Sequence, residues 1–231
     1  MKATLYDFLR KRTSPSVRRC LKRQKWFNSV LEAVFGNTAY SKSYYQSVED
    51  LELASVPVIA TWVRNELGPQ NVLDVGCGPG HFIAALVKEG INVLGVDISA
   101  AAMEAVRHKN LPFMQHDLTN EYPLPLIDGR KWDLVTSFEV AEHLRPEFAD
   151  NYLDKLCAVA DRVMLTAAEP DANIGPGLYH YNEQKNDYWI QKMARRGFEY
   201  SSTSVLARDE FEKNGVISYL AKPMVFDRKR T

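Results

Sequence analysis

The stretch Val72-Leu73-Asp74-Val75-Gly76-Cys77-Gly78-Pro79-Gly80-His81-Phe82 decides the fold of this 231-residue chain. A short apolar run leads directly into three alternating glycines, and a helical pattern follows. Glycine lets the backbone turn sharply and lets a ligand lie against the main chain. The spacing G-x-G-x-G differs from the dinucleotide and phosphate-loop motifs, and no phosphate-binding lysine follows. The stretch therefore predicts a strand, a loop and a helix that bind a nucleoside-like ligand without phosphate, at the carboxyl end of a parallel strand.

Apolar runs of strand length alternate with helical patterns downstream of the loop. The predicted strands are Asn71–Val75, Asn92–Val96, Pro112–His116, Trp132–Phe138 and Arg162–Ala167. The predicted helices are His81–Lys88, Ser99–His108 with Ser99 as its cap, Pro146–Val159 and Asn186–Arg196. This alternation predicts a mainly parallel sheet that is covered by helices on both faces. Two further β-rich runs, Tyr200–Leu206 and Val216–Phe226, are joined at Asn214-Gly215 and predict a closing hairpin with an antiparallel last strand.

Two acidic residues follow the second and third predicted strands. Asp97 lies about 20 residues after the glycine loop, where a carboxylate accepts hydrogen bonds from ribose hydroxyls in nucleotide-binding folds. The alternative is that Asp97 caps the helix that begins after Ser99. Asp117 can accept a hydrogen bond from an exocyclic amine while Leu118 packs on a purine face. The alternative for Asp117 is an ordinary strand-terminating residue.

Residues 72–80, Asp97 and Asp117 together resemble the motifs of class I S-adenosylmethionine-dependent methyltransferases, and the resemblance covers roughly residues 45–226. It implies an α/β fold with a seven-stranded, mainly parallel, doubly wound sheet whose last strand is antiparallel. It also implies S-adenosyl-L-methionine as the cofactor. The residues that the resemblance places at the cofactor are Asp74, Gly76, Cys77, Gly78, Gly80, Asp97, Ile98, Asp117, Leu118, Phe138 and Glu139.

The segment after the fourth predicted strand, Glu139-Val140-Ala141-Glu142-His143-Leu144, resembles the E-V-x-E-H-L segment of that family. In open α/β sheets the ligand lies beyond the carboxyl ends of the strands, so this segment is expected to face the acceptor. His143 is the candidate general base, because an imidazole takes up a proton near neutral pH. The alternative is that Glu142 and His143 only brace the loop.

The chain after the fifth predicted strand contains Gly177-Leu178-Tyr179-His180-Tyr181-Asn182-Glu183-Gln184, which resembles the G-x-x-H-x-N-x-Q stretch of a subgroup of small methyltransferases. This resemblance implies a loop that covers the site, with His180 as a second base or an acceptor ligand. Asn182 and Gln184 offer donors and acceptors to a polar acceptor, or they only start the next helix. The predicted acceptor-binding residues are Tyr44 and Tyr45 of a lid-like region, Glu142, Asn182 and Gln184.

A metal-dependent alternative uses the same segments. Glu139, Glu142, His143 and His180 resemble the metal-binding set of small-RNA 2′-O-methyltransferases. That resemblance implies Mg²⁺ or another divalent ion that positions a hydroxyl group and lowers its pKa. The histidine that normally follows E-x-x-E-H in that family is replaced by Glu147. The main expectation is therefore a site without metal.

The N-terminal segment differs in charge from the rest of the chain. The whole sequence has 29 basic and 29 acidic residues, but residues 1–25 carry nine Lys or Arg and one acid, for a net charge of +8. The remaining residues are net −8. We expect residues 1–45 to form a basic helical cap or arm before a methyltransferase domain at residues 46–231. Residues 1–25 then contact an anionic membrane surface or a polyanion, or they simply pack on the domain.

The combined patterns predict an enzyme that transfers a methyl group to an oxygen or nitrogen atom of a small polar acceptor, such as a sugar or a specialised metabolite. The alternatives are a metal-assisted RNA 2′-O-methyltransferase and a cofactor-binding accessory subunit without activity. Three cysteines fit neither a disulfide framework nor a zinc pattern, which favours a cytoplasmic setting, with peripheral membrane contact if the arm binds lipid. The sequence does not indicate an oligomeric state.

Overall fold

A computed structural model describes residues 53–170 and 180–230 of the chain. The predicted N-terminal cap, with Tyr44 and Tyr45, lies outside the described residues, as does the Gly/Pro-rich part of the predicted loop before His180. Among the residues that the structure describes, no helix combines the length and the apolar character that crossing a bilayer requires.

The described residues form a seven-stranded sheet with the order β3-β2-β1-β4-β5-β7-β6. The strands are β1 Asn71–Val75, β2 Asn92–Asp97, β3 Phe113–Gln115, β4 Leu134–Ser137, β5 Arg162–Leu165, β6 Phe198–Tyr200 and β7 Met224–Arg228. β1 pairs in parallel with β2 and β4, and the parallel pairing continues outward to β3 and β5. β7 runs antiparallel between β5 and β6. The predicted fold class is confirmed.

Helices cover both faces of this sheet. They are α1, whose described residues are 53–62 and which continues as the π-helical turn Val63–Leu67, then α2 His81–Lys88, α3 Ala100–His108, α4 Ala149–Val159, α5 Asn186–Ala194 and α6 Thr203–Lys213. Two short 3₁₀ turns, Ala141–His143 and Pro146–Phe148, connect β4 to α4. Ser99 is the N-cap of α3, as predicted, because its side chain accepts a hydrogen bond from the backbone N–H of Ala102.

Two groups of buried apolar residues hold the helices against the sheet. Residues of α1, α2, α3 and α6 bury one face, and residues of α4 and α5 bury the other. Within β1, Val72 belongs to the first group while Leu73 and Val75 belong to the second. Alternate residues of a strand point to opposite faces, so a strand buried on both sides must be apolar throughout. This explains why the strands appear in the sequence as continuous apolar runs.

The predicted closing hairpin is wrong. β6 ends at Tyr200, and the following residues form α6 instead of a strand. Val205 and Leu206 suggest a strand, yet both side chains are about half exposed, at 51% and 58%. The buried residues of α6 are Ser204, Ala207 and Phe211. Their spacing is helical, and the ring of Phe211 packs edge-on against Trp62 of α1 at 5.3 Å between centroids.

Asn214-Gly215 has a different role from the one predicted. Asn214 follows the last residue of α6, and its side-chain amide donates to the carbonyl of Glu210 at 2.8 Å. Gly215 has a φ of 70°, the left-handed conformation that commonly follows a helix. The pair therefore ends a helix, whereas the hairpin prediction assigned it to a turn between two strands.

Candidate active site

A cavity of about 300 Å³ opens beyond the carboxyl ends of the first four strands. Its size is that of a small-molecule site. The predicted site residues that line it are Asp74, Gly76, Cys77, Gly78, Asp97, Ile98, Asp117, Leu118, Phe138, Glu139 and His143. The cavity therefore brings together residues that follow four different strands.

The glycine loop between β1 and α2 is folded against the end of β2. The backbone N–H groups of Gly76 and Cys77 both donate to the carbonyl of Val96, at 2.8 and 3.1 Å. Gly76, Gly78 and Gly80 have positive φ values of 79°, 51° and 79°. A Cβ atom at Gly76 would also overlap Cγ2 of Val140. Gly76 thus satisfies both a backbone and a packing requirement of this loop.

Replacing Gly76 with alanine should lower the free energy of unfolding by about 1–3 kcal/mol more than the same change at Gly129. Gly129 is the matched control, because its φ of 74° is similar to that of Gly76 but nothing lies within 4 Å of the position of its Cβ. Urea unfolding of the two variants therefore separates the overlap with Val140 from backbone strain. Equal losses in the two variants would contradict the packing argument.

Asp97 connects the glycine loop to the start of α3. Its Oδ2 accepts a hydrogen bond from the backbone N–H of Gly78 at 2.9 Å, and its Oδ1 accepts one from Ser99 at 2.8 Å. Burial raises the pKa of this carboxyl, and the backbone hydrogen bonds oppose the rise. Since Ser99 is itself the cap of α3, Asp97 is not needed for that role. A carboxylate oxygen can accept more than one hydrogen bond, so Asp97 retains capacity for a ligand in the cavity.

Asp117 also lines the cavity and forms a local turn. Its Oδ1 accepts from the backbone N–H of Thr119 at 2.8 Å and from the Thr119 hydroxyl at 2.7 Å. The neighbouring His116 also lines the cavity, and its backbone N–H donates to the carbonyl of Asp97 at 2.9 Å. These contacts fit the alternative of an ordinary strand-terminating residue, although Asp117 also lines the cavity.

A set of buried hydrogen bonds links β1, β4 and α4 next to the cavity. Thr136 donates to Oδ1 of Asp74 at 2.7 Å, and Ser137 donates to the carbonyl of Val75 at 2.8 Å. Tyr152 of α4 in turn donates to the hydroxyl oxygen of Ser137 at 2.7 Å. Buried polar groups that satisfy one another form a rigid network. Asp74 is therefore held in a fixed orientation where β1 enters the glycine loop.

The segment after β4 takes a strained path. Glu139 has a φ of 55°, which is rare for a residue with a side chain, and its backbone N–H donates to the Thr166 hydroxyl at 3.1 Å. Glu142 is completely buried. Its Oε1 accepts from the backbone N–H of Ala168 at 3.2 Å, and no described residue donates to its Oε2. Burial raises the pKa of Glu142. Strain and a buried carboxyl next to a cavity are typical of functional sites.

Two histidines meet beside this buried carboxyl. The rings of His143 and His180 pack edge-to-face, with 4.7 Å between their centroids. Nδ1 of His180 lies 2.8 Å from Oε1 of Glu183. The backbone carbonyl of Glu142 accepts from Tyr181 and Asn182, which fixes the chain that carries His180. One ligand-type atom from each of Glu142, His143 and His180 lies within 4.8 Å of the others, so three of the four residues predicted as a metal set converge.

Some predicted site residues do not line the cavity. Gly80 caps α2. Glu142 and Asn182 are buried, and Gln184 donates to the side-chain carbonyl of Asn182 at 3.0 Å. His180 packs on the ring of His143, and the backbone N–H of Asn182 donates to the carbonyl of Glu142, so these two residues adjoin the segment of His143. Lining residues that the sequence did not single out are Val56, Pro79, His81, Phe82, His116, Thr119, Val140, Leu144 and Leu220. Most of these residues lie within or next to the predicted motifs. Val56 and Leu220 lie in distant segments whose sequence contains no motif that would assign them to the site.

A family model described as a methyltransferase domain matches residues 49–215. Among curated proteins, the chain is 33% identical over 87 residues to a ubiquinone biosynthesis O-methyltransferase of Histophilus somni, covering 35% of this chain and 37% of that protein. It is 37% identical over 84 residues to a ribosomal protein L11 methyltransferase of Laribacter hongkongensis, covering 35% and 27%. The matches thus span about two fifths or less of the length of these curated relatives.

Solved structures share the fold at low sequence identity. A magnesium protoporphyrin IX methyltransferase from Synechocystis PCC 6803 with bound S-adenosylhomocysteine superposes with a TM-score of 0.59 at 20% identity, covering 87% of this chain and all of that chain. A sugar N-methyltransferase from Streptoalloteichus superposes with a TM-score of 0.61 at 15% identity, covering 81% and 92%.

Proposed function

The chain belongs to the methyltransferase family whose domain model spans residues 49–215, and from this premise we propose that it methylates an oxygen or nitrogen atom of a small polar acceptor, such as a sugar or a specialised metabolite. The enzyme uses S-adenosylmethionine. The observation that carries the proposal is that His143 lines the same cavity as the glycine loop and Asp97. A candidate base and a candidate cofactor site therefore share one cavity. Because the matched family model is a methyltransferase domain, it favours an enzyme over an accessory subunit without activity.

The resemblance to class I methyltransferases suggests which residues would hold each part of the cofactor, and the lining of the cavity supports the assignment. Gly76 and Gly78 would offer backbone to the methionine and ribose parts, and Asp97 would accept from the ribose hydroxyls. Asp117 and Leu118 would border the adenine. Asp74, held by Thr136, would help to orient the amino group of the cofactor.

The chemistry requires alignment more than activation. When bound, S-adenosylmethionine supplies an electrophilic methyl carbon, and its sulfonium sulfur is the leaving group of an in-line displacement. The protein holds the acceptor on the opposite side of that carbon and excludes water. His143 takes the proton that the acceptor atom loses. His180 packs against His143, and Glu183 orients the ring of His180.

The acceptor is identified by measuring cofactor consumption in the presence of fractionated metabolites and RNA. We expect one small polar metabolite fraction to stimulate formation of S-adenosylhomocysteine, and mass spectrometry to find a product that is heavier by one methyl group. Stimulation by RNA alone would overturn the small-acceptor proposal.

The asymmetry of charge also leads us to propose that residues 1–45 form a basic helical cap or arm before a catalytic domain at residues 46–231. In this proposal residues 1–25, with a net charge of +8, contact an anionic membrane surface or a polyanion.

A second candidate is a metal-assisted RNA 2′-O-methyltransferase. It is supported by the convergence of ligand-type atoms from Glu142, His143 and His180 within 4.8 Å. Glu183 beside Nδ1 of His180 resembles the outer carboxylates that orient metal-binding histidines. A divalent ion would also satisfy the buried Oε2 of Glu142 and would lower the pKa of a bound hydroxyl.

Removal of divalent metal distinguishes the two candidates. Since the first mechanism needs only a protein base, we expect the initial rate to stay within about twofold after treatment with a chelator and gel filtration. A loss of about tenfold or more that is restored by Mg²⁺ or Mn²⁺ would instead support the metal mechanism. In that case Glu142→Gln should abolish the restoration, whereas Glu147→Gln, which changes an acidic residue outside the cluster, should not.

A further inference from the structure

Lys109 reaches the glycine loop from outside the cavity. It directly follows α3, and its Nζ donates a hydrogen bond to the carbonyl of Pro79 at 2.9 Å. The same Nζ lies 3.2 Å from Nδ1 of His81, the first residue of α2. Pro79 and His81 both line the cavity, whereas Lys109 is exposed. An exposed cation therefore contacts the outer side of the cofactor loop.

The chemistry of the ammonium group determines what it does to His81. An ammonium has three donors and no acceptor, so a hydrogen bond between the two groups requires Nδ1 of His81 to accept. The ring proton of His81 is then on Nε2. The contact thus selects one tautomer and one orientation for a side chain that is almost completely buried in the wall of the cavity.

Opposite charges hold two peptide groups of the loop, the one between Cys77 and Gly78 and the one between Pro79 and Gly80. The carboxylate of Asp97 accepts from the N–H of Gly78, and the ammonium of Lys109 donates to the carbonyl of Pro79. Glycines with positive φ on both sides of Pro79 give the loop many conformations once these contacts are removed. A loop that is already ordered before binding loses less entropy when a ligand binds.

We propose that Lys109 is a positioning residue for S-adenosylmethionine, which holds the loop at Pro79 and the ring of His81 in the conformation that binds the cofactor. Helix dipoles do not account for the contact. The two helix ends act on the ammonium of Lys109 in opposite directions. The C-terminal end of α3 attracts a cation, whereas the N-terminal end of α2, where His81 lies, repels one. The role depends on the cofactor and is independent of the identity of the acceptor.

The test compares Lys109→Met with Arg107→Met. Both changes remove one positive charge from the same helix end, but Arg107 is exposed and, within the described ranges, has no hydrogen bond to the glycine loop. Calorimetry should show S-adenosylmethionine binding about five- to tenfold more weakly in Lys109→Met, as expected for loss of charge-assisted hydrogen bonds near the surface. Arg107→Met should bind within about twofold of the unsubstituted protein, and Lys109→Arg should recover part of the affinity.

Two further readouts separate positioning from a general loss of structure. Circular dichroism and the thermal midpoint of Lys109→Met should match those of Arg107→Met, because the defect lies in ordering the loop. Nitrogen-15 NMR of histidine-labelled protein should show His81 with its proton on Nε2, and Lys109→Met should lose this preference. Equal affinities of the two methionine variants would overturn the proposal, and so would an unchanged His81 tautomer in Lys109→Met.

Discussion

Replacing Asp97 with alanine is expected to abolish measurable binding of S-adenosylmethionine in calorimetry. Under the proposed assignment, the variant loses the acceptor of two hydrogen bonds from the ribose hydroxyls, and hydrogen bonds to a charged group are worth about 1.5–3 kcal/mol each. Their sum corresponds to a loss of affinity of roughly 10²–10⁴-fold. The variant also frees the N–H groups of Gly78 and Ser99, which Asp97 holds at 2.9 and 2.8 Å, so the loop itself becomes less ordered.

Asp133→Ala is the control for Asp97→Ala. Oδ2 of Asp133 likewise accepts two backbone hydrogen bonds at 2.9 Å, from Gln70 and Asn71, but it lies at the opposite end of the sheet. Asp133→Ala should lower the thermal midpoint of the protein while leaving its affinity for the cofactor within about twofold. Normal binding by Asp97→Ala would refute the assignment of the ribose site.

His143→Gln is expected to lower kcat by about 10²–10⁴-fold once the acceptor is known, while affinity for S-adenosylmethionine stays within about twofold. Glutamine keeps a polar side chain of similar length but cannot take up a proton near neutral pH. His143 is the proposed base because its imidazole lines the cavity and packs against His180. Steady-state kinetics and calorimetry on the same preparation measure the two quantities.

His108→Gln is the matched control for this substitution. His108 is exposed on α3 and pairs with Glu104 at 3.7 Å, so its loss should leave both kcat and affinity unchanged. A rate loss below about threefold in His143→Gln would mean that the acceptor needs no base, as for an amine that is already neutral. An equal loss of cofactor affinity would instead assign His143 a structural role.

The part of the cavity that we propose for the cofactor was largely predictable because its signals are local. Three closely spaced glycines after an apolar run specify a turn that few other residues can adopt, and all three have positive φ. The acids after β2 and β3 enter the same cavity because parallel strands end at one edge of the sheet. These relations depend on spacing along the chain, which the sequence contains directly.

The part of the site that we propose for the acceptor was less predictable, because it depends on contacts between residues far apart in the sequence. Nothing near Glu142 in the sequence indicates that its side chain is completely buried, since that follows from packing between the segments after β4 and β5. Val56 and Leu220 line the cavity although more than 160 residues separate them, and a hydrogen bond from Ile217 to Ser55 brings their segments together. Such contacts form only once the sheet has assembled.

By itself, the sequence determined the doubly wound sheet, the glycine loop and the carboxylates around it. Glycine conformations and the periodic spacing of apolar residues are properties of short segments. The tertiary structure alone decided that residues 203–213 form a helix and that Lys109 reaches Pro79. It also decided that Glu142, His143 and His180 converge. In each case the deciding free energy comes from packing or charge interactions between segments far apart in the chain, which local propensity does not contain.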